Sequence, residues 1–242
     1  MKTVVHKADS RGFANHGWLQ ANHSFSFANY FNPEKIHFGA LRVLNDDIIA
    51  PSMGFSTHPH NNMEIITIPL SGELKHKDSM FNDWQSVRPG EVQVMSAGTG
   101  VFHSEINGSS KEYLSLFQIW ITPDQENVEP RYDQKIFNPD DRKNKIQTLV
   151  SGFDVPDSGS LKIHQSARLS RIDLEKEKMV QYKTISENHG VYVMVIHGEL
   201  ELNGQVIQSR DAAGISESSQ IEIEAKSDSE VLLIEVPMIN LN

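Results

Sequence analysis

The sequence predicts an all-β protein made of two β-barrels in tandem, with few short helices. Three observations carry this: short β-rich segments separated by turn residues, scarce helical periodicity, and an internal repeat. The first segments are FGALRVLN from Phe38, MEIITIPL from Met63, EVQVMSAG from Glu91 and YLSLFQIWI from Tyr113. Each is rich in β-branched or aromatic residues and bounded by Gly, Pro, Asn or Asp, the composition of a strand. A polar stretch follows, PDQENVEPRYDQKIFNPDDRKNK from Pro123 to Lys145, with three prolines and no sustained period. It reads as the connection between halves. We therefore expect domains at residues 1–135 and 136–242. The second half continues with VYVMVIHGELELNG, SQIEIEA and SEVLLIEVP. Only ARLSRIDLEKEK, from Ala167, has room for a turn or two of helix.

The repeat is weak in identity and consistent in order. SGELKHKD around Gly72 is echoed by HGELELNG around Gly198, each after an apolar strand and before a polar turn. Superposing the two glycines puts Thr184 and Ser186 where His58 and His60 stand, and no histidine follows His197. A metal site in the first half would have no counterpart in the second.

Composition narrows the chemistry. With 38% hydrophobic and 22% charged residues, the 242-residue chain has the makeup of a folded globular protein. A net charge of −10 argues against a nucleic-acid surface, which needs clustered Lys and Arg. There is no cysteine, so disulfides, thiol nucleophiles and zinc–cysteine clusters are excluded, and a metal would rely on His and carboxylate. The segment MKTVVHKADSRGFANHGW lacks the apolar core of a signal peptide, and no apolar run is long enough to span a membrane. A cytoplasmic location with no membrane partner is expected.

His58 and His60 stand two apart, just ahead of a strand, and so project from one face. Pro59 between them suits a strand start or bulge. In PGEVQVMSAGTGVFHSEIN, Gly98 and Gly100 make a turn, after which His103 and Glu105 again stand two apart. One such pair is as compatible with hydrogen-bonded surface histidines. Two pairs with the same spacing, each beside a strand, point to a divalent transition metal held by His58, His60, His103 and Glu105. Glu64 shares their parity if the strand is unbroken, as a fifth ligand or as a partner orienting a ligand histidine. Phe55, Met95, Phe117 and Trp120 are pocket-wall candidates, although residues of this kind are more often plain core packing. Gln118, a lone amide in an apolar strand, reads as facing the ligands or as an ordinary buried hydrogen-bonding group. His6, His16, His23, His37, His76, His164, His189 and His197 read as structural or exposed, and Asp78 and Ser79 are placed at the cavity rim.

The pattern Gly54-x₃-His58-x-His60-x₃-Glu64-x₇-Gly72, then Gly90-x₅-Ser96-x-Gly98 and His103-x₃-Asn107, resembles the two cupin motifs. HPH and AGTGVFHSE, with the earlier ANHGWLQANHSFSFANYF, resemble the pirin family, especially its bacterial quercetin 2,3-dioxygenase-like members. That resemblance spans nearly the whole chain. It implies a bicupin, two cupin-type jelly-roll barrels of which only the first carries metal, with His58, His60, His103 and Glu105 as ligands and Glu64 outside them. Ser96 stands where the general motif has proline, and Thr99 and Gly100 are extra, with Phe102 expected to alter the cavity wall. The metal implied is one divalent ion, iron(II) first, with nickel, manganese, cobalt, copper or zinc also compatible. The activity implied is opening of a flavonol's central ring with O2 and release of carbon monoxide, with Glu105 taking the 3-hydroxyl proton. ANHGWLQANHSFSF is expected to wrap across the barrels. Since the family includes regulators that act through protein partners, a non-catalytic redox or ligand sensor is the alternative.

Overall fold

The computed structural model describes residues 1–81, 83–156 and 159–239. Two 3-10 turns, Ala8–Ser10 and Pro139–Arg142, are the only helical elements among these residues. The strands form two sheets of seven and two of four. In the first half the larger sheet runs, in spatial order, Arg131–Ile136, Glu91–Ser96, Glu64–Ser71, Leu114–Ile121, Leu41–Ile49, Leu19–His23 and Gly12–Asn15. The smaller runs Gly54–His60, Val101–Asn107, Leu74–Asp78 and Gln85–Val87. The second half repeats the plan: Lys2–His6, Ala212–Ser216, His189–His197, Ser229–Pro237, Arg168–Leu174, Gln147–Gly152 and Leu161–Ile163 in one sheet. Met179–Lys183, Gln220–Ala225, Glu199–Leu202 and Gln205–Gln208 make the other. Each half is thus a two-sheet sandwich whose hydrogen bonding does not close into a ring. Among the described residues no helix is long and apolar enough to cross a membrane.

Side-chain alternation assigns each strand two jobs. From Leu114–Ile121, Phe117 and Ile119 join a cluster with Tyr192, Met194, Leu232 and Ile234 of the other half. The two large sheets therefore pack back to back, and each fully buried side chain of this size contributes roughly 1.5–3 kcal/mol. Leu114, Leu116 and Trp120 point the other way, into the first sandwich.

The repeat appears as matched turns: Gly72 and Gly198 follow equivalent strands with φ of 82° and 93°, where a side chain is strained. The structural counterpart of Gly54–His60, however, is Met179–Lys183, so Thr184 and Ser186 fall past its end. Aligning on the glycines overruns because the loop before His189 is longer than the one before Glu64.

Three local expectations change. The polar connection contains the strand Arg131–Ile136, paired with Glu91–Ser96. It is an edge strand and half-exposed, so it needs no apolar period. ARLSRIDLEKEK supplies the strand Arg168–Leu174 instead of a helix turn, because Leu169 and Ile172 are buried on opposite faces. Its charges are absorbed across strands, with Arg168 on Glu235 at 2.8 Å and Arg171 on Glu230 at 2.6 Å. Lastly, the opening strand Lys2–His6 pairs with Ala212–Ser216, in the sheet of the second half.

Candidate metal centre and cavity

Gly54–His60 is an edge strand, so Pro59 leaves no ladder partner unsatisfied. Gly54 sits against the Glu105 backbone, where a Cβ would collide with the Glu105 carbonyl oxygen. Gly98, at φ 45°, turns the chain toward His103, and a Cβ there would meet the Val128 carbonyl. The Gly54 approach brings the two histidine-bearing strands close together, with His103 directly opposite His58.

The result is convergence. Nitrogens of His58, His60 and His103 lie within 4.8 Å of one another. His103 Nε2 faces His58 Nε2 at 2.8 Å, and the His60 ring centroid is 4.9 Å from His58 and 4.8 Å from His103. Burial pushes His60 down to about 4 and His103 to about 2, His58 adding to both through its charge. Both are neutral imidazoles at pH 7, with lone pairs available to a borderline-soft divalent ion. The donor chemistry fits such a metal.

Glu105 stands outside that tight nitrogen group and lines the same cavity. The pairing with Gly54–His60 shifts register here, His103 lying opposite His58 and Glu105 opposite Phe55. Burial lifts its carboxyl to about 7, against the hydrogen bonds from Gln118. Gln118 Nε2 is 3.3 Å from each Glu105 oxygen, while its Oε1 accepts from Thr67 Oγ1 at 3.1 Å. The Thr67 contact fixes the amide's direction, so Gln118 presents its NH2 group to Glu105.

The cavity holds about 450 Å³. Trp18 and Phe55 meet edge to face at 5.2 Å on one wall, Phe27 and Trp120 at 5.3 Å on another. Asp47 lines it, buried, with Oδ1 unpartnered, and the Trp120 N–H is likewise unpartnered. Burial, helped by Asp46 and Glu105, raises Asp47 to about 8. Unpaired polar atoms in a cavity wall call for a ligand to satisfy them.

Several sequence expectations fall elsewhere. Glu64 starts a new strand after a break at residues 61–63, and its parity is that of Ile66 and Ile68, toward the other half. There it accepts from Ser96 Oγ at 2.7 Å, the serine in the usual proline position. It is neither a ligand nor a partner of one. Phe55 and Trp120 do line the cavity, but Phe117 packs between the halves and Met95 with Ile65 and Val101. Phe102 points outward, 58% exposed. Asp78 is buried behind His76, 3.8 Å from its Nδ1, away from the cavity rim, and Ser79 Oγ accepts from the Phe102 N–H. ANHGWLQANHSFSF supplies a cavity wall through Trp18, Leu19, Ala21, His23 and Phe27, while its Phe25 reaches the second half and packs 5.3 Å from the Tyr192 ring.

Four residues of the site were not singled out as part of it. His23 bonds Asn45 at 2.9 Å and both face the cavity, as does Asp47. His76 is fully buried against His103. The signal was period two: Leu19-x-Ala21-x-His23, Val43-x-Asn45-x-Asp47 and Leu74-x-His76 each carry an apolar face into polar residues. The other histidines are structural or exposed: His6 bonds Tyr192 at 2.8 Å, His37 the Gly39 carbonyl at 2.8 Å, His164 packs at a tilt against Phe153, and His189 lies 3.3 Å from Glu235. His16 and His197 are exposed.

Comparison with known proteins agrees with this architecture. The Pirin family model matches residues 4–121, and the model of the quercetinase C-terminal cupin domain matches residues 149–236. A quercetin 2,3-dioxygenase of Escherichia coli K12 is 46% identical over 235 residues, 97% of this chain and 99% of that one. The crystal structure of the bacterial pirin YhhW from E. coli in complex with nickel(II) superposes with a TM-score of 0.91 at 43% identity, covering 98% of this chain and 100% of that one. A quercetin 2,3-dioxygenase structure from Acinetobacter baumannii shares the fold, with a TM-score of 0.76 at 19% identity over 98% of this chain and 86% of that one.

Proposed function

The chain belongs to the pirin family, and from that premise we propose that it is a metal-dependent dioxygenase opening the central ring of flavonols such as quercetin with O2, with release of carbon monoxide. The observation that carries this reading is three converging imidazoles and a buried carboxyl group meeting at an aromatic-walled cavity. We assign His58, His60, His103 and Glu105 as the residues that would hold one divalent transition ion. Iron(II) suits them, as does nickel(II), the ion in complex with the E. coli pirin YhhW. Such an ion, when bound, supplies Lewis acidity and open coordination positions for exogenous oxygen ligands.

The protein's own part is positioning, water exclusion and proton handling. A cavity of about 450 Å³ lies within the range of roughly 300–1,000 Å³ typical of small-molecule sites. Trp18, Phe55, Phe27 and Trp120 offer flat apolar surfaces to planar rings. Glu105, raised to about 7, is poised to take the proton of the flavonol 3-hydroxyl near neutral pH, held for the purpose by the Gln118 amide. Asp47, protonated at that pH, donates a hydrogen bond to a substrate oxygen.

Aerobic incubation of iron-, nickel- or manganese-loaded protein with quercetin tests this. Oxygen uptake with stoichiometric carbon monoxide is expected. Tight quercetin binding without product from any metal form would overturn it in favour of a non-catalytic sensor.

A further inference from the structure

Behind the metal-facing nitrogens lies a second line of polar groups that the proposed reaction does not use. His103 Nδ1, the nitrogen turned away from the cluster, is 3.1 Å from His76 Nε2. His76 Nδ1 in turn faces Asp78 Oδ2 at 3.8 Å, both side chains fully buried. Neither of those last two atoms has a hydrogen-bond partner. Asp78 is anchored by its other oxygen, which accepts from the Met80 N–H at 2.7 Å, and the His76 ring stacks on Tyr132 at 5.2 Å.

The proton pattern follows from His103. A nitrogen that coordinates a metal presents a lone pair, so with Nε2 in the cluster the single proton of neutral His103 sits on Nδ1. It points at His76 Nε2, which must accept and therefore carries its own proton on Nδ1. That proton is directed at Asp78 Oδ2, and an approach of under about 1 Å would pair both orphaned atoms. The strand register supports the line: His103 lies directly opposite Asp78, and Glu105 opposite His76.

We propose that His76 and Asp78 are positioning residues that lock His103 in its Nδ1-protonated tautomer and aim its Nε2 at the metal. The inference rests on the assignment of His103 as a ligand. Carboxylate–histidine lines behind a ligand imidazole raise its basicity and fix its ring, and losing one typically costs 10–100-fold in metal affinity.

The test is metal binding by the full-length chain, read from the cobalt(II) absorption spectrum and from chelator competition. His76→Phe keeps a ring against Tyr132 but removes the acceptor; 10–100-fold weaker cobalt binding and an altered spectrum are expected. His76→Gln restores an acceptor and should recover most of the affinity. Asp78→Asn should lose several-fold. Nitrogen-15 NMR of the zinc-loaded wild type should show the His103 proton on Nδ1, whether or not the variants fold. A His103 proton on Nε2, or wild-type affinity and spectrum in folded His76→Phe, would overturn this inference alone. A wild-type chain that binds no metal would overturn the ligand assignment as well.

Discussion

Gly54–His60 and Val101–Asn107 in the first half occupy the places of Met179–Lys183 and Gln220–Ala225 in the second, yet the inward residues differ in kind. The first pair turns His58, His60, His103 and Glu105 inward; the second turns Val180, Tyr182, Ile221 and Ile223. In the second sandwich these join one continuous apolar cluster with Leu200, Val193 and Leu233. In the first, the cavity divides the interior into one cluster around Leu74 and Leu116 and another around Ile65 and Met95. One half is filled and the other kept open. A site needs unfilled space and unsatisfied polar groups, both of which lower stability, so the duplicate that carries no such site is free to pack as core.

The contrast breaks most sharply at the ligands. His58→Ala should reduce metal affinity by roughly 100-fold or more, beyond the 10–100-fold of an indirect partner, and abolish quercetin turnover. Metal content and carbon monoxide release check it. Next in size, Ile223→Ala should cost about 2–5 kcal/mol of stability, because the packed second sandwich cannot collapse around the hole. Urea unfolding should show that loss with metal stoichiometry unchanged. Gln118→Ala in the open sandwich should cost less, about 1–3 kcal/mol for its side-chain bonds, but should lower turnover by loosening Glu105.

A pH prediction sharpens the same point. Asp47 is raised to about 8 in the folded chain, against an ordinary value of 3.8. The folded state thus holds a proton that the unfolded state releases, so this contribution is complete below about pH 4 and lost as pH climbs to about 8. Metal-free wild type should therefore melt lower at pH 8 than at pH 5, and Asp47→Asn should flatten the difference by several degrees. A variant melting in parallel with wild type would show that Asp47 is not held protonated. Smallest of all, His197→Ala, on an exposed side chain, should change stability by under about 0.5 kcal/mol and leave metal binding as it was.

Much of this was legible in the sequence because strands announce themselves by period and turns by glycine. The pairing of His58 with His103 followed from two equal spacings, and the duplication from Gly72 and Gly198. Glu64 misled because parity carries across a strand only while the strand lasts, and residues 61–63 break it. His76 and Asp47 were hidden for a different reason. Their importance lies in what they touch across the sheet, His103 for one and the cavity for the other, and cross-strand neighbours are not near in the chain. The Arg131–Ile136 strand was obscured by its half-exposed edge position, where polar side chains are tolerated.

The opening strand has a consequence for how the molecule is made. Lys2–His6 completes a sheet whose neighbouring strand is some two hundred positions away, and Lys7 clasps Asp211 at 2.7 Å across a separation of 204. During synthesis this segment emerges well ahead of its partner and waits for its berth until some two hundred further residues have followed. Genetic division between the halves would strand it on the wrong fragment, leaving Ala212–Ser216 as a bare edge open to intermolecular strand exchange.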